Sequence, residues 1–328
     1  PCWWGADRSS STGRIGVGRL NSEKLSSRQL WVAVLTGGLS AGAAAAGRAD
    51  WRWLLAAAAL GMALGWLLLR RVGDRPLHPV LRALYCGWGA LLMSDVLSRA
   101  ADRVRQASGG GENTGWLLVL LALPLIWMGW GKASAFFRAA EIAWLALLAT
   151  AAAVLLLGLP RMNWQWALEP AGDWKSSLAA GGLTMSAGLF VLPLLYKAEK
   201  PPEGDRSGPV WLGALGLTTA ALAALTAGLL SPAVAARLAA PFFTAAGLLG
   251  DSARLEGLIS ALWLLPDLVL AGLLARCWGE EHRPALAAAA ALGLALVGAA
   301  EALPWNALPL GCMALAVLTA AVPPGRNK

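Results

Sequence analysis

The sequence is poor in charged residues. Only 14% of its 328 residues are charged, whereas 57% are hydrophobic. Soluble domains average about 25% charged and about 45–50% apolar residues. The composition therefore excludes an ordinary soluble domain and predicts an integral membrane protein.

Residues that catalyse reactions or bind metals are also scarce. The chain has 4 cysteines and 2 histidines, and neither type occurs at the spacing of a metal site or of a disulfide framework. There is no phosphate-binding loop and no nucleophile elbow. We therefore expect no enzymatic activity, no cofactor and no metal. The net charge of +8 does not indicate a nucleic-acid partner, because in a membrane protein the basic residues report topology.

Long apolar runs, in contrast, are abundant. A run of roughly 17–25 apolar residues is long enough to cross a bilayer as a helix. Ten such spans are predicted, at residues 29–46, 51–69, 77–97, 115–131, 139–160, 176–196, 210–230, 255–275, 284–302 and 304–322. Residues 231–252 are also apolar, but Pro232 and Pro241 interrupt them, so a short re-entrant or interfacial segment is predicted there. The fold class is an all-α integral membrane protein with about ten transmembrane helices.

The flanking segments and loops predict the orientation. Residues 1–27 are polar and lack the continuous apolar run of a signal peptide, so we expect a cytoplasmic tail. Residues 28–323 form the polytopic domain, and residues 324–328 form a short second tail. With the N-terminus inside, the inner segments carry about twice as many lysines and arginines as the outer ones, in agreement with the positive-inside rule. Both termini are therefore predicted to be cytoplasmic.

Glycine clusters in two spans that are five apart. The first span contains LTGGLSAG (35–42) and the sixth contains AAGGLTMSAG (179–188). A glycine in a helix interior costs about 1 kcal/mol relative to alanine. Interrupted helices at matching positions of two halves mark the binding site in transporters built from inverted repeats. The pattern predicts a five-plus-five inverted repeat with broken helices one and six. The alternative is close helix packing through the GxxxG of Gly38 and Gly42.

A broken helix leaves backbone N–H groups free to hold a carboxylate. We therefore predict a midplane site for a small charged ligand between the two interrupted spans. Its predicted residues are Gly37, Gly38, Ser40 and Gly42 of the first span and Thr184, Ser186 and Gly188 of the sixth.

One carboxylate lies near the middle of a predicted span. Asp267 follows Pro266 in span eight, where an aspartate costs about 2.5–3.5 kcal/mol on insertion scales. It must therefore face protein or water. Two interpretations stay open: a site that couples a proton or cation, or a structural aspartate that accepts hydrogen bonds freed by the proline kink. Near the outer end of span three, Asp95 is predicted to pair with Arg99, one helical turn away.

Four stretches resemble a known family. They are LSSRQLWVAVLTGGLSAG (25–42), GWGKASAFFRAAEI (129–142), GLFVLPLLYKAEKP (188–201) and GDSARLEGLISALWLLPDLVLAGLL (250–274). In order and spacing they are similar to spans one, five, six and eight of spore germinant receptor B-subunits. These are the endospore germination permeases of the amino acid–polyamine–organocation superfamily. The resemblance covers most of the chain from Lys24 onward.

The resemblance implies a leucine-transporter-like fold with a site for a small nutrient, such as an amino acid, between spans one, three, six and eight. It implies that Tyr85 and Trp88 of span three and Trp263 of span eight form walls of that site. It also implies an A-type membrane subunit and a C-type lipoprotein as partners, and the inner membrane of a bacterial spore as the location. A secondary amino acid transporter coupled to a proton or cation is the alternative, because both functions need a ligand that binds two conformations differently.

The predicted topology has a direct test. Reporter fusions at Gly110 and Gly204 are expected to report the outside and the inside, because spans four, five and six lie between them. A fusion at the C-terminal Lys328 serves as the inside control. If the first two fusions report the same side, the assignment of the intervening spans is wrong.

Overall fold

Nearly every described residue of the computed structural model is helical. The structure describes residues 26–46, 49–72, 78–108, 113–130, 132–171, 173–182, 184, 207–238, 240–249, 254–277, 284–296, 298, 303 and 307–321. Within these ranges, the only β contact is an isolated bridge between Ala46 and Ala49. The predicted all-α class is confirmed.

The helices follow the predicted spans in order. They are α1 (Ser27–Ala45), α2 (Trp51–Val72), α3 (Pro79–Ala107), α4 (Thr114–Trp130), α5 (Ala133–Gly158), α6 (Trp164–Leu168), α7 (described over 174–182), α8 (Gly208–Leu230), α9 (Pro232–Ala235), α10 (Pro241–Gly247), α11 (Arg254–Leu262), α12 (Leu264–Cys277), α13 (Pro284–Leu296) and α14 (Ala307–Ala321). A 3-10 turn, Leu159–Arg161, extends α5. The predicted interruption of residues 231–252 is confirmed, because α9 and α10 are both short.

The chain is a multi-pass membrane protein. Five described stretches are long and apolar enough to cross a bilayer: Trp51–Leu68, Pro79–Gln106, Ala133–Arg161, Gly208–Leu230 and Gly257–Arg276. Apolar helices of 10–17 residues correspond to the predicted spans four, nine and ten. Span three extends ten residues beyond its predicted end, because α3 continues through charged residues to Ala107.

Helix α1 lies in the interior of the bundle. It packs against α5, α8 and α12, while α2 packs on α8 and α3 packs against α4, α12 and α13. Nearly all of its residues from Leu30 onward are buried, which explains why the helix is apolar all round. Ser26 begins it with a capping box, in which its hydroxyl accepts from the Gln29 backbone N–H and its own N–H donates to the Gln29 side chain.

The glycines of α1 do not break the helix. The helix is continuous from Ser27 to Ala45 through Gly37, Gly38 and Gly42, so the predicted unwinding of helix one at these residues is wrong. Their backbone N–H groups belong to the helical hydrogen-bond ladder and are not free to hold a carboxylate.

Close packing explains these glycines instead. A Cβ on Gly37 would lie 3.1 Å from the backbone Cα of Leu270 in α12, and one on Gly42 would lie 2.7 Å from Oγ1 of Thr219 in α8. A Cβ on Gly38 would lie 2.3 Å from a leucine methyl group of α8. Small residues let membrane helices approach this closely. The packing interpretation of the GxxxG is therefore the one that the structure supports.

The sixth span is described only at its beginning. A Cβ on Gly181 would lie 2.4 Å from Cβ of Ala57 in α2, so this glycine also marks a close helix contact. Thr184 is buried, and its hydroxyl donates to the carbonyl of Ala180 at 3.1 Å. Ser186 and Gly188, and with them the predicted break of helix six, lie outside the described residues.

A pair of alanine substitutions tests the packing role. Gly42→Ala is expected to lower the melting temperature in detergent, because overpacking costs about 1–3 kcal/mol against a gain in helix propensity of about 1 kcal/mol. Gly87→Ala in α3 is the control, since a Cβ there meets no atom of the described residues within 4 Å, and it is expected to leave the melting temperature unchanged or raise it. Equal effects of the two substitutions would contradict the packing role.

Candidate functional site

Asp267 is buried where three helices meet. Its side chain, on α12, is 1% exposed. Oδ2 lies 2.8 Å from Nη1 of Arg103 on α3, and Oδ1 accepts a hydrogen bond from the hydroxyl of Ser40 on α1. The carboxylate therefore joins α1, α3 and α12.

Arg103 extends the network to the junction of α11 and α12. Its side chain is 8% exposed, and Nη1 also donates to the carbonyl of Trp263 at 2.7 Å. Trp263 is the single residue between the two helices, and the nearby Pro266 has no N–H to donate to the helical ladder. The guanidinium carbon lies 4.8 Å from the centre of the Phe243 ring, within the range of a cation–π contact.

An aromatic cluster covers the ion pair. Trp263 is fully buried, with its ring centre 4.8 Å from that of Phe242 and 6.3 Å from that of Phe243. Within the described part of the chain, its indole Nε1 has no hydrogen-bond partner. An unsatisfied buried donor costs about 1–3 kcal/mol. A bound polar group that accepts a hydrogen bond from this N–H would remove that cost.

A second ion pair lies one turn earlier on α3. Nη2 of Arg99 is 2.9 Å from Oδ2 of Asp95, which confirms the predicted pair. Nη1 of Arg99 donates to the backbone carbonyl of Ser40 at 3.4 Å. Arg99 and Arg103 thus both connect α3 to Ser40 of α1. Arg99 donates to the Ser40 carbonyl, and Arg103 pairs with Asp267, which accepts from the Ser40 hydroxyl.

The geometry changes the interpretation of Asp267. The sequence left open a coupling site or an acceptor of hydrogen bonds freed by a proline kink. In the structure, Arg103 donates to the Trp263 carbonyl beside the kink, and Asp267 neutralises that guanidinium. The carboxylate is thus already paired with a cation of the protein itself, the guanidinium of Arg103. The two charges stabilise each other, since either one alone would be strongly unfavourable in a dry interior.

Two predicted wall residues lie elsewhere. The Tyr85 hydroxyl is 2.8 Å from Oγ1 of Thr319, and the Trp88 indole donates to the carbonyl of Leu308 at 3.2 Å. Both partners are on α14. The structure therefore does not bring Tyr85 and Trp88 to the Ser40–Asp267 contact, because they lie towards the opposite end of α3 from Arg103. That they form walls of a ligand site stays a prediction.

Of the predicted residues, the structure brings together Ser40, Trp263 and Asp267. Sequence reasoning missed Arg103 and Phe243. The signal for Arg103 was the spacing, since Asp95, Arg99 and Arg103 recur every four residues and so share one face of a helix that continues past the predicted end. Phe243 carried no local signal, since it lies on the short helix α10.

Comparison with known proteins supports the fold. No protein-family model and no curated protein matches the chain. Among solved structures, the chain is similar to Mhp1, a nucleobase-cation-symport-1 family transporter in a closed conformation with bromovinylhydantoin bound. The TM-score is 0.59 over 89% of this chain and 76% of Mhp1, at 12% sequence identity. The fold is that of a membrane transporter. The predicted leucine-transporter-like class is confirmed at this level.

The ion pair has a stability test. Arg103→Gln and Asp267→Asn are each expected to cost about 3–5 kcal/mol, because each leaves the partner's charge buried and unpaired. The double variant should lose less stability than the sum of the two single losses, as measured by thermal unfolding in detergent. Asp95→Asn is the control, since its half-buried pair is worth at most about 1 kcal/mol. Additive losses would show that the two charges are not coupled.

Proposed function

We propose that this chain is the membrane subunit of a spore germinant receptor and that it binds a small nutrient, such as an amino acid. The observation that carries the proposal is the Arg103–Asp267 pair, buried where α1, α3 and the α11–α12 junction meet. Ionisable residues within membrane spans mark ligand or ion pathways. The family that the sequence resembles implies a ligand site between the same spans.

An amino acid carries the same two charges as this ion pair. Its carboxylate matches the guanidinium of Arg103, and its ammonium matches the carboxylate of Asp267. Such a ligand compensates both buried charges, so that neither is left alone in the membrane interior. The rings of Phe243 and Trp263 offer apolar surface to its side chain, and the Trp263 indole offers one further donor.

The site is closed in this conformation. Asp267 is 1% exposed and Trp263 is 0% exposed, so a ligand enters only after the helices separate. The Ser40–Asp267 hydrogen bond ties α1 to α12, and the Arg103–Trp263 hydrogen bond ties α3 to the α11–α12 junction. A zwitterion that replaces these ties binds the separated state more tightly and shifts the population towards it. An A-type membrane subunit and a C-type lipoprotein in the spore inner membrane would read this shift.

The alternative is a secondary amino acid transporter coupled to a proton or cation. The similarity of the fold to a symport-family transporter favours it. Sensing is preferred because Arg103 already supplies the positive charge beside Asp267, which removes the electrostatic need for a mobile coupling ion in this conformation.

Binding can be measured on the purified chain in nanodiscs. We expect saturable binding of one or a few amino acids that does not depend on sodium. Trp263→Phe keeps a ring but removes the indole donor, so it should weaken binding about tenfold, the worth of a hydrogen bond to a charged group. Trp31→Phe is the matched control, since Trp31 is equally buried but lies nine residues before Ser40 on α1. Failure of every amino acid to bind would overturn the amino acid proposal.

Proteoliposomes separate sensing from transport. A sensing subunit is expected to bind the nutrient without accumulating it when a sodium or proton gradient is imposed. Co-purification of the chain with an A-type subunit and a lipoprotein from spore membranes is the second expected result. Gradient-driven accumulation of the bound amino acid would assign the transporter function instead.

A further inference from the structure

An apolar groove lies on the outside of the bundle, between α5 and α11. It has a volume of about 270 Å³ and is lined on α5 by residues that include Ala149, Ala153 and Leu157. Leu249 and Leu258 contribute to the opposite wall. Among the described residues of the lining, the one polar side chain is a threonine of α5, whose hydroxyl donates to a backbone carbonyl one turn earlier. The groove therefore offers an apolar surface that is open towards lipid.

The groove and Arg161 beyond it together span about one leaflet of a bilayer. Ala149, Ala153 and Leu157 are four residues apart and so lie along one face of α5. From Ala149 to Arg161 the chain rises about 18 Å at 1.5 Å per residue. Half of the hydrocarbon core is about 15 Å thick. An acyl chain that lies in this groove thus extends from near the bilayer midplane to Arg161.

Arg161 is held at the end of the groove. Its Nη1 donates to the carbonyls of Leu248 at 3.1 Å and Leu249 at 3.0 Å. For the other two guanidinium nitrogens, the described residues provide no acceptor. The nearby Trp164 and Trp166 of α6 are 62% and 41% exposed, and exposed tryptophans of this kind lie at headgroup level.

We propose that this groove is a binding site for an anionic phospholipid. One acyl chain lies against Ala149, Ala153 and Leu157, and the phosphate accepts charge-assisted hydrogen bonds from Arg161. A groove of about 270 Å³ is larger than the roughly 150 Å³ that takes up a benzene-sized molecule. The guanidinium held against its wall favours an occupant with an anionic headgroup over an apolar partner helix.

Retention of lipid by the purified chain tests the site. The protein is washed in mild detergent, incubated with phosphatidylglycerol and phosphatidylcholine, and analysed for bound lipid by native mass spectrometry. We expect the wild-type chain to retain phosphatidylglycerol preferentially. Arg161→Gln should reduce that preference about tenfold, the worth of a charge-assisted hydrogen bond. Ala153→Phe should abolish retention of both lipids, because the ring fills the groove.

Matched variants keep the result interpretable. Ala152→Phe places the same ring on an exposed residue of α5 outside the groove, and Arg237→Gln removes an exposed arginine elsewhere. Both should retain lipid as the wild type does, with unchanged melting temperature. Equal retention of lipid by the Ala153→Phe and Ala152→Phe variants overturns the acyl-chain site. The same result is expected if a partner helix covers the groove. An unchanged preference for phosphatidylglycerol in Arg161→Gln overturns the proposed hydrogen bond between Arg161 and the phosphate. Neither result bears on the nutrient site, whose residues are all different.

Discussion

The arrangement of the bundle interior depends on one buried ion pair. A guanidinium or a carboxylate alone in a dry membrane interior is several kcal/mol unfavourable, so Arg103 and Asp267 must meet for either to be tolerated. Arg103 is on α3 and Asp267 on α12, and Ser40 of α1 donates to the same carboxylate. These three helices can separate only if something else compensates both charges. That condition is the basis of the proposal that the junction binds a zwitterionic ligand.

The neighbouring backbone is adapted to this contact. Gly37 lets α1 lie directly on the backbone of α12 at Leu270, close enough for Ser40 to reach Asp267. On the other side, the junction at Trp263 presents a carbonyl that Arg103 binds. Glycine therefore acts differently from what the sequence pattern indicated, because it brings α1 and α12 together without breaking α1. The interruption lies instead at Trp263, three residues before Pro266.

Tryptophan illustrates how the surroundings assign a role to a residue type. Trp164 and Trp166 are exposed on the short helix α6, where an amphipathic ring suits the membrane interface. Trp263 is fully buried and packs on Phe242 beside the ion pair. The same side chain thus lies at the lipid boundary in one place and encloses a polar cluster in the other.

Along α5, small alanines facing lipid leave a groove where larger residues would form a ridge.

The sequence by itself determined the all-helical membrane class, the positions of most spans and the local pair of Asp95 and Arg99. These depend on composition and on residues one turn apart, which are local properties of the chain. It also identified Asp267 as a residue that needs a partner, without showing which one. Only the tertiary structure decided that the partner is Arg103, 164 positions earlier, and that Gly37 and Gly42 are packing contacts. Both depend on which helix faces reach each other, and hydropathy averages a helix over all of its faces.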